Sequence, residues 1–245
     1  MLEVRDPDVL LTYFYTLETE EFKLEQLPLQ QAKAWWQGLE EAEYGLVYLH
    51  GYGDKKLGQH LGISAIHPKG GHKVWEQPKL SFYGLSRDGL LTLDPLQPEE
   101  PLQILDPFAG KATGKTLSQL EAAEQVALFT KSRYAAWEHP VMYREGEAYF
   151  EQVQSFLNLQ LGVTAVQGIE YAETPAHLVI SFYTSDADDK LTNKLAVFDL
   201  EGKLLMQMQL GSSLSGIGSD TFFIFKHNLY FILNRVILQV FRLTV

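Results

Sequence analysis

Four of the seven histidines lie within a glycine-rich stretch of 23 residues, at His50, His60, His67 and His72. Imidazoles that converge at strand ends can bind a transition metal or act in acid–base catalysis. Their spacings of ten, seven and five residues match no metal-ligand signature, and strand alternation sends His67 and His72 to either side of a turn. We therefore assign no metal ligands from the sequence, and a metal-dependent enzyme that uses the histidine cluster is kept as an alternative.

The segment His50-Gly-Tyr-Gly53 has the composition of a binding loop. Glycines on both sides of Tyr52 let the backbone approach another group closely, although a tight turn at a sheet edge has the same pattern. We expect a ligand-binding surface in the loops around His50, Tyr52, His67 and His72.

Residues 109–116, AGKATGKT, fit a relaxed phosphate-loop pattern. An apolar run precedes them and a predicted helix follows, so the backbone at Gly114 together with Lys115 and Thr116 could hold a nucleotide and Mg²⁺. A phosphate-loop hydrolase needs a parallel sheet with repeated crossovers, however, and strands do not alternate with helices in that way after residue 131. Nucleotide hydrolysis is therefore a further alternative, and the default interpretation is a solvated loop.

Composition and charge restrict the remaining functions. The 245 residues include no cysteine, which excludes disulfides, thiolate catalysis and Cys-ligated metals. With 31 acidic and 20 basic residues the net charge is −11, so we expect no nucleic-acid partner. No secretory signal is visible, and polar residues interrupt the apolar last 25 residues too often for a membrane span. We expect a cytoplasmic protein.

Short apolar runs alternate with Gly, Pro and Asp turns over residues 45–105, and again from residue 163 onward. This alternation predicts antiparallel strands joined by hairpins. Apolar residues at spacings of three or four predict three amphipathic helices, at residues 28–43, 117–131 and 146–160. Thr116 with Gln119 has the pattern of a capping box, and Gly162 suits the C-terminal cap of the third helix.

Residues 65–75, AIHPKGGHKVW, predict a strand, a tight turn and a second strand. They resemble the strand-turn-strand unit of quinoprotein-type β-propeller repeats. Ala65, Gly71 and Trp75 match the repeat, whereas His67 replaces the usual acidic residue and Gly70 the usual Thr. The order of elements also resembles an uncharacterised bacterial family of propeller-like build. The resemblance implies a β-propeller, but it maps no quinone-binding residue onto this chain, so we infer no cofactor.

The sequence thus predicts a mainly β chain, with one propeller-like domain over residues 1–245 and helical insertions near 28–43 and 115–161. Each catalytic pattern is incomplete, and propellers commonly present a binding surface on one face. We therefore expect a binding or scaffolding module for an unknown protein or small-molecule ligand rather than an enzyme.

Overall fold

A computed structural model describes residues 1–29, 35–54, 56, 58–186 and 188–244. The described chain is mainly β, and its hydrogen-bonded strand pairs are antiparallel. It divides into two compact units, Met1–Arg133 and Tyr134–Val245. The organisation of both units as a single domain stays a prediction.

The first unit contains eleven described strands and one helix. In chain order they are β1 (Leu2–Asp6), β2 (Leu11–Leu17), β3 (Leu24–Gln26), β4 (Gly38–Glu43), β5 (Leu46–Asp54), β6 (Gln59–Ile66), β7 (Lys73–Gln77), β8 (Ser81–Ser86), β9 (Gly89–Leu93), β10 (Leu102–Leu105), β11 (Ala112–Leu117) and α1 (Gln119–Arg133). The strands form three meanders, β1-β2-β3, β4-β5-β6-β7 and β8-β9-β10-β11. Because neighbours in each sheet are also neighbours in sequence, hairpin turns connect most of them.

The β4–β7 sheet packs on both sides within the first unit. Val47 of β5 lies in a buried cluster with Phe14 of β2, whereas the adjacent Tyr48 lies in a cluster with Leu90 of β9. Alternate residues of a strand point to opposite faces, so an apolar run such as LVYL is buried on both. Packing on both faces holds the β4–β7 sheet in place. It therefore also positions His50 and Tyr52, which follow the apolar run in β5.

The second unit contains the remaining described strands and one helix. They are β12 (Trp137–Glu138), β13 (Val141–Arg144), α2 (Ala148–Leu161), β14 (Gly168–Glu173), β15 (His177–Ser185), β16 (Leu191–Asp199), β17 (Leu204–Leu214), β18 (Phe222–Phe225), β19 (Asn228–Leu233) and β20 (Ile237–Arg242). They form the sheets β13-β14-β15-β16-β17 and β12-β18-β19-β20. Helix α2 covers one face of the larger sheet, where Phe150 and Phe198 share a cluster, and Val197 on its other face packs with Phe231 of β19.

The described residues contain two helices where the sequence predicts three. Helix α2 confirms the prediction at residues 146–160, and Gly162 adopts the left-handed conformation (φ 66°) of its C-terminal cap. The helix predicted at residues 28–43 is wrong over its second half, which forms β4. Residues 30–34 of that prediction lie outside the described residues.

A β-bulge explains why the second half of that segment has a helix-like pattern. Glu40 is an extra residue in β4, because Leu39 pairs with Leu49 while Glu41 pairs with Tyr48. The bulge lets two apolar residues three positions apart, Leu39 and Ala42, pack against the same buried cluster. A spacing of three therefore arises here from an irregular strand and not from a helical turn.

Helix α1 begins slightly later than the sequence predicts, because Ser118 and not Thr116 caps it. The N–H of Ser118 donates to Glu121 Oε2 (2.9 Å), and the N–H of Glu121 donates to Ser118 Oγ (3.3 Å). This reciprocal pair is a capping box two residues further along the chain than the predicted one. The hydrogen bonds from Ser118 lower the pKa of the Glu121 carboxyl. Thr116 lies in β11 instead.

Antiparallel meanders of three to five strands are thus present, and their arrangement as a β-propeller stays a prediction. Neither helix of the described chain combines the length and apolar composition that a membrane crossing requires.

Candidate metal centre

Strands β4, β5 and β6 bring Glu40, His50 and His60 together. Tyr44 and Gly45, with φ of 55° and 74°, form the tight turn between β4 and β5. A two-residue hairpin turn of this kind fixes the register of its strands, and this register together with the bulge at Glu40 sets Gly38 opposite His50. In the next hairpin Tyr52 lies opposite His60.

Two β-bulges flank His50. Glu40 is the extra residue in β4, and Gly62, with φ of 83°, is the extra residue in β6. A bulge bends its strand and changes the direction in which the local side chains point. In this sheet the bulges leave Glu40 and His60 next to the same imidazole.

The three side chains form a compact group, the Glu40/His50/His60 cluster. Glu40 Oε1 is 2.9 Å from His60 Nδ1 and 3.1 Å from His50 Nδ1. The imidazoles are stacked, with centroids 3.4 Å apart and 13° between their planes. One potential ligand atom from each side chain lies within 4.8 Å of the other two.

The cluster is buried at one end and open at the other. The side chains of His50, Glu40 and His60 are 5%, 12% and 45% exposed, respectively. Although His50 Nδ1 is close to Glu40, neither ring nitrogen of His50 makes a well-aligned hydrogen bond to any described residue. Leaving a buried polar atom without a partner costs about 1–3 kcal/mol. The folded protein therefore holds a buried imidazole that makes no hydrogen bond to the described residues and whose close polar neighbour is the Glu40 carboxylate.

Gly38 provides the space that His50 occupies. A Cβ at this position would lie 2.5 Å from His50 Cε1 and 2.6 Å from His50 Nε2. Because real Cβ contacts are not this short, any larger residue at position 38 would displace the imidazole.

Tyr52 and an ion pair surround the cluster. The Tyr52 ring packs edge-on against His50 and His60, at centroid distances of 5.0 and 5.4 Å, and its hydroxyl is 3.4 Å from Arg5 Nη2. Arg5 Nε is 2.5 Å from Glu3 Oε1. Partial burial alone would lower the pKa of Arg5, but its contacts with Glu3 and Tyr52 outweigh burial and raise it. Since Arg5 and Glu3 balance each other, Glu40 is the carboxylate available to a bound cation.

Two imidazoles and one carboxylate are suitable ligands for a divalent transition metal. Imidazole suits Zn²⁺, Cu²⁺, Ni²⁺ and Fe²⁺, whereas Ca²⁺ and Mg²⁺ prefer sets of oxygen ligands. Metal–ligand bonds of about 2.0–2.1 Å separate two ligand atoms by about 2.9 Å at a right angle and about 3.4 Å at a tetrahedral angle. The two separations from Glu40 Oε1, 2.9 and 3.1 Å, fall in that range. The lone pairs of two stacked rings lie in nearly parallel planes, so shared binding of one ion requires the imidazoles to tilt apart.

The structure divides the four histidines into two pairs. His50 and Tyr52 lie within strand β5 beside His60, and not in a loop. His67 and His72 lie at the turn between β6 and β7, where their rings stack 5.0 Å apart. His60 and His67 are near opposite ends of β6, about 23 Å apart along an extended strand, so the four residues do not form one surface.

Glu40 is the residue that sequence reasoning missed. The predicted helix placed it outside the strands, so no carboxylate was available to the histidines. A sequence signal does exist, because a hairpin turn at Tyr44 and Gly45 sets residues 38–43 alongside the strand that contains His50.

The phosphate-loop residues have a different environment from the one that a nucleotide needs. Gly114, Lys115 and Thr116 lie in β11, an exposed strand at the edge of its sheet, and not in a loop before a helix. Lys115 Nζ is 2.8 Å from Asp88 Oδ2. A cleft of about 400 Å³ adjoins these residues, but Asp94 and Glu100 also line it. Two carboxylates beside one paired lysine disfavour a triphosphate, and the strand-loop-helix context of a phosphate loop is not formed.

Residues 1–75 match a family model described as Domain of unknown function (DUF4905). The matched segment contains all three side chains of the Glu40/His50/His60 cluster. No curated protein matches the chain.

Proposed function

We propose that this protein is a binding module that holds a divalent transition-metal ion at Glu40, His50 and His60. The observation that carries this proposal is the environment of the His50 side chain. Its imidazole is almost fully buried, neither ring nitrogen has a hydrogen-bond partner among the described residues, and a carboxylate and a second imidazole are adjacent. A bound ion takes one ring nitrogen of His50 as a ligand and compensates the charge of Glu40 in a single step.

A purely structural role for the cluster is a weaker explanation. Structural polar clusters in protein interiors satisfy nearly all of their donors and acceptors. Glu40 accepts a hydrogen bond from His60, but this contact leaves His50 without a well-aligned partner. An apolar side chain at position 50 would fill the same space without this cost, so the imidazole itself is the group that a ligand uses.

Isothermal titration calorimetry of untagged, metal-free protein tests the proposal. We expect one equivalent of Zn²⁺, Ni²⁺ or Co²⁺ to bind, and no heat from Mg²⁺ or Ca²⁺. Each of the substitutions Glu40→Gln, His50→Leu and His60→Asn removes one of three ligands and should weaken binding at least about 100-fold. Protein that takes up no transition metal in calorimetry or elemental analysis would contradict the proposal.

Two matched controls separate the cluster from general effects of charge or histidine content. Glu43→Gln changes a carboxylate on the same strand that pairs instead with Arg133, at 2.6 Å. His67→Asn combined with His72→Asn removes the other pair of histidines. Both variants should bind the ion as the unchanged protein does. Equal losses in these controls would mean that the heat reports unspecific binding.

We further propose that the sheets are blades of a β-propeller that folds as one domain. Meanders of sequence-adjacent antiparallel strands support this fold, as does the strand-turn-strand unit at residues 65–75, whose sequence resembles a quinoprotein-type repeat. One calorimetric unfolding transition with equal calorimetric and van't Hoff enthalpies is expected of a single domain. Two separable transitions would contradict it. A cytoplasmic location, a further protein or small-molecule partner and the lack of a nucleic-acid partner stay predictions.

A further inference from the structure

We propose that the ion in the Glu40/His50/His60 cluster keeps open coordination positions on its His60 side and takes a small anionic ligand there, such as a carboxylate. This inference rests on the proposed metal site and adds the chemical class of its second ligand. Three features of the cluster support it: the number and angles of its ligands, its graded exposure, and its charge.

The protein supplies fewer ligands than a transition metal accepts. Among the described residues the metal-ligating group consists of Glu40, His50 and His60 only. Before the imidazoles tilt apart to share an ion, the separations of 2.9 and 3.1 Å from Glu40 Oε1 correspond to angles closer to 90° than to the tetrahedral value for bonds of about 2.05 Å. Ligands at such angles crowd onto one side of an ion, which leaves the other side for exogenous ligands.

Exposure indicates where the open side lies. The exposed fraction of the side chains rises from 5% at His50 through 12% at Glu40 to 45% at His60. An incoming molecule therefore reaches the ion past His60 and not through the sheet. Structural metal sites are closed by four protein ligands, whereas sites that bind a substrate keep a position open to solvent.

Charge favours an anion at the open position. Two neutral imidazoles and one carboxylate leave a divalent ion with a residual charge of +1, and the His50 end of the cluster is buried. Arg5 and Glu3 pair with each other at 2.5 Å, so neither compensates this charge. A partly buried charge is stabilised by an opposite charge in direct contact, which a monovalent anion supplies.

Visible absorption of the Co²⁺-loaded protein tests the inference. We expect azide and acetate to change the spectrum in a saturable way, while acetonitrile, a neutral linear molecule of similar size to azide, has no effect at the same concentrations. Linkage predicts tighter Co²⁺ binding by about tenfold at an anion concentration ten times its dissociation constant.

Variants establish where the anion binds. Arg5→Gln combined with Glu3→Gln removes both charges of the ion pair and should leave the affinity for azide within threefold, because the anion binds the ion and not the guanidinium. Loss of the response in this variant would overturn the inference, as would a spectrum unchanged by anions, an equal response to acetonitrile, or removal of Co²⁺ by the anion. Failure of the metal site itself looks different, since no Co²⁺ spectrum then forms before any anion is added.

Discussion

Two carboxylates of low exposure, the buried Glu170 in the second unit and the partly buried Glu40 in the first, have very different surroundings. Glu170 is 1% exposed and accepts hydrogen bonds from the N–H of Asp220, from the N–H of Thr221 at 3.0 Å and from the Thr221 hydroxyl. Glu40 faces two imidazoles, one of which has both nitrogens unsatisfied among the described residues.

The surroundings of Glu170 suit a structural carboxylate, whereas those of Glu40 suit a carboxylate that binds a cation. Backbone and hydroxyl donors around Glu170 are fixed in number and direction, so they hold its charge without any further group. They also attach the connection between β17 and β18 to strand β14, which contains Glu170. Imidazoles can donate or accept, and they are also metal ligands, so the group around Glu40 suits the external cation that we propose.

The largest change in stability is expected from Glu170→Gln. The amide keeps the shape of the side chain but offers N–H donors where acceptors are needed, which leaves the amide groups of Asp220 and Thr221 without a carboxylate. We expect a loss of about 3 kcal/mol in the free energy of unfolding, measured by urea denaturation. Affinity for Zn²⁺ should be unchanged. A loss of metal binding comparable to that of Glu40→Gln would remove the distinction between the two carboxylates.

Gly38→Ala should lower both the stability of the first unit and its affinity for the metal ion. The added methyl group overlaps the His50 imidazole, so we expect a loss of about 2 kcal/mol in stability and a decrease of about 10–100-fold in metal affinity. Denaturation and calorimetry measure the two effects. Gly216→Ala is the matched control, because a Cβ there meets nothing within 4 Å. Unchanged metal affinity in Gly38→Ala would show that metal binding does not depend on the position of the His50 imidazole.

His50→Leu should separate function from stability. Removing the two unsatisfied ring nitrogens is expected to stabilise the metal-free protein by about 1 kcal/mol, or at least not to destabilise it. Added Zn²⁺ should raise the melting temperature of the unchanged protein and not that of the variant. If His50→Leu instead destabilises metal-free protein by several kcal/mol, the imidazole has a structural role.

Ser118→Ala should have the smallest effect on stability and so provides a reference for the other substitutions. It removes the exposed capping box of α1 and should cost about 0.5–1 kcal/mol by urea denaturation. Metal affinity should not change. Because capping hydrogen bonds are local and solvated, a larger loss would mean that α1 contributes more to the first unit than its exposed surface indicates.

The strands were largely predictable, because alternation of apolar residues and Gly, Asn and Asp turns depends only on neighbours in sequence. Helix α2 was predictable for the same reason, and its C-terminal Gly162 fits the predicted cap. Segment 28–43 was not predictable, since its spacing of three between Leu39 and Ala42 depends on a bulge opposite β5. Intrinsic periodicity cannot distinguish a helical turn from a strand with one inserted residue.

The sequence by itself determined a mainly β chain of hairpins with its histidines concentrated near residues 50–72, because strand and turn preferences act over a few residues. Only the tertiary structure decided which histidines meet. Register and two bulges brought His50 and His60 to Glu40, while His67 and His72 were placed at the other end of β6. A shift of one residue reverses the face of every side chain in a strand, so the composition of a site depends on pairing between strands that local sequence does not encode.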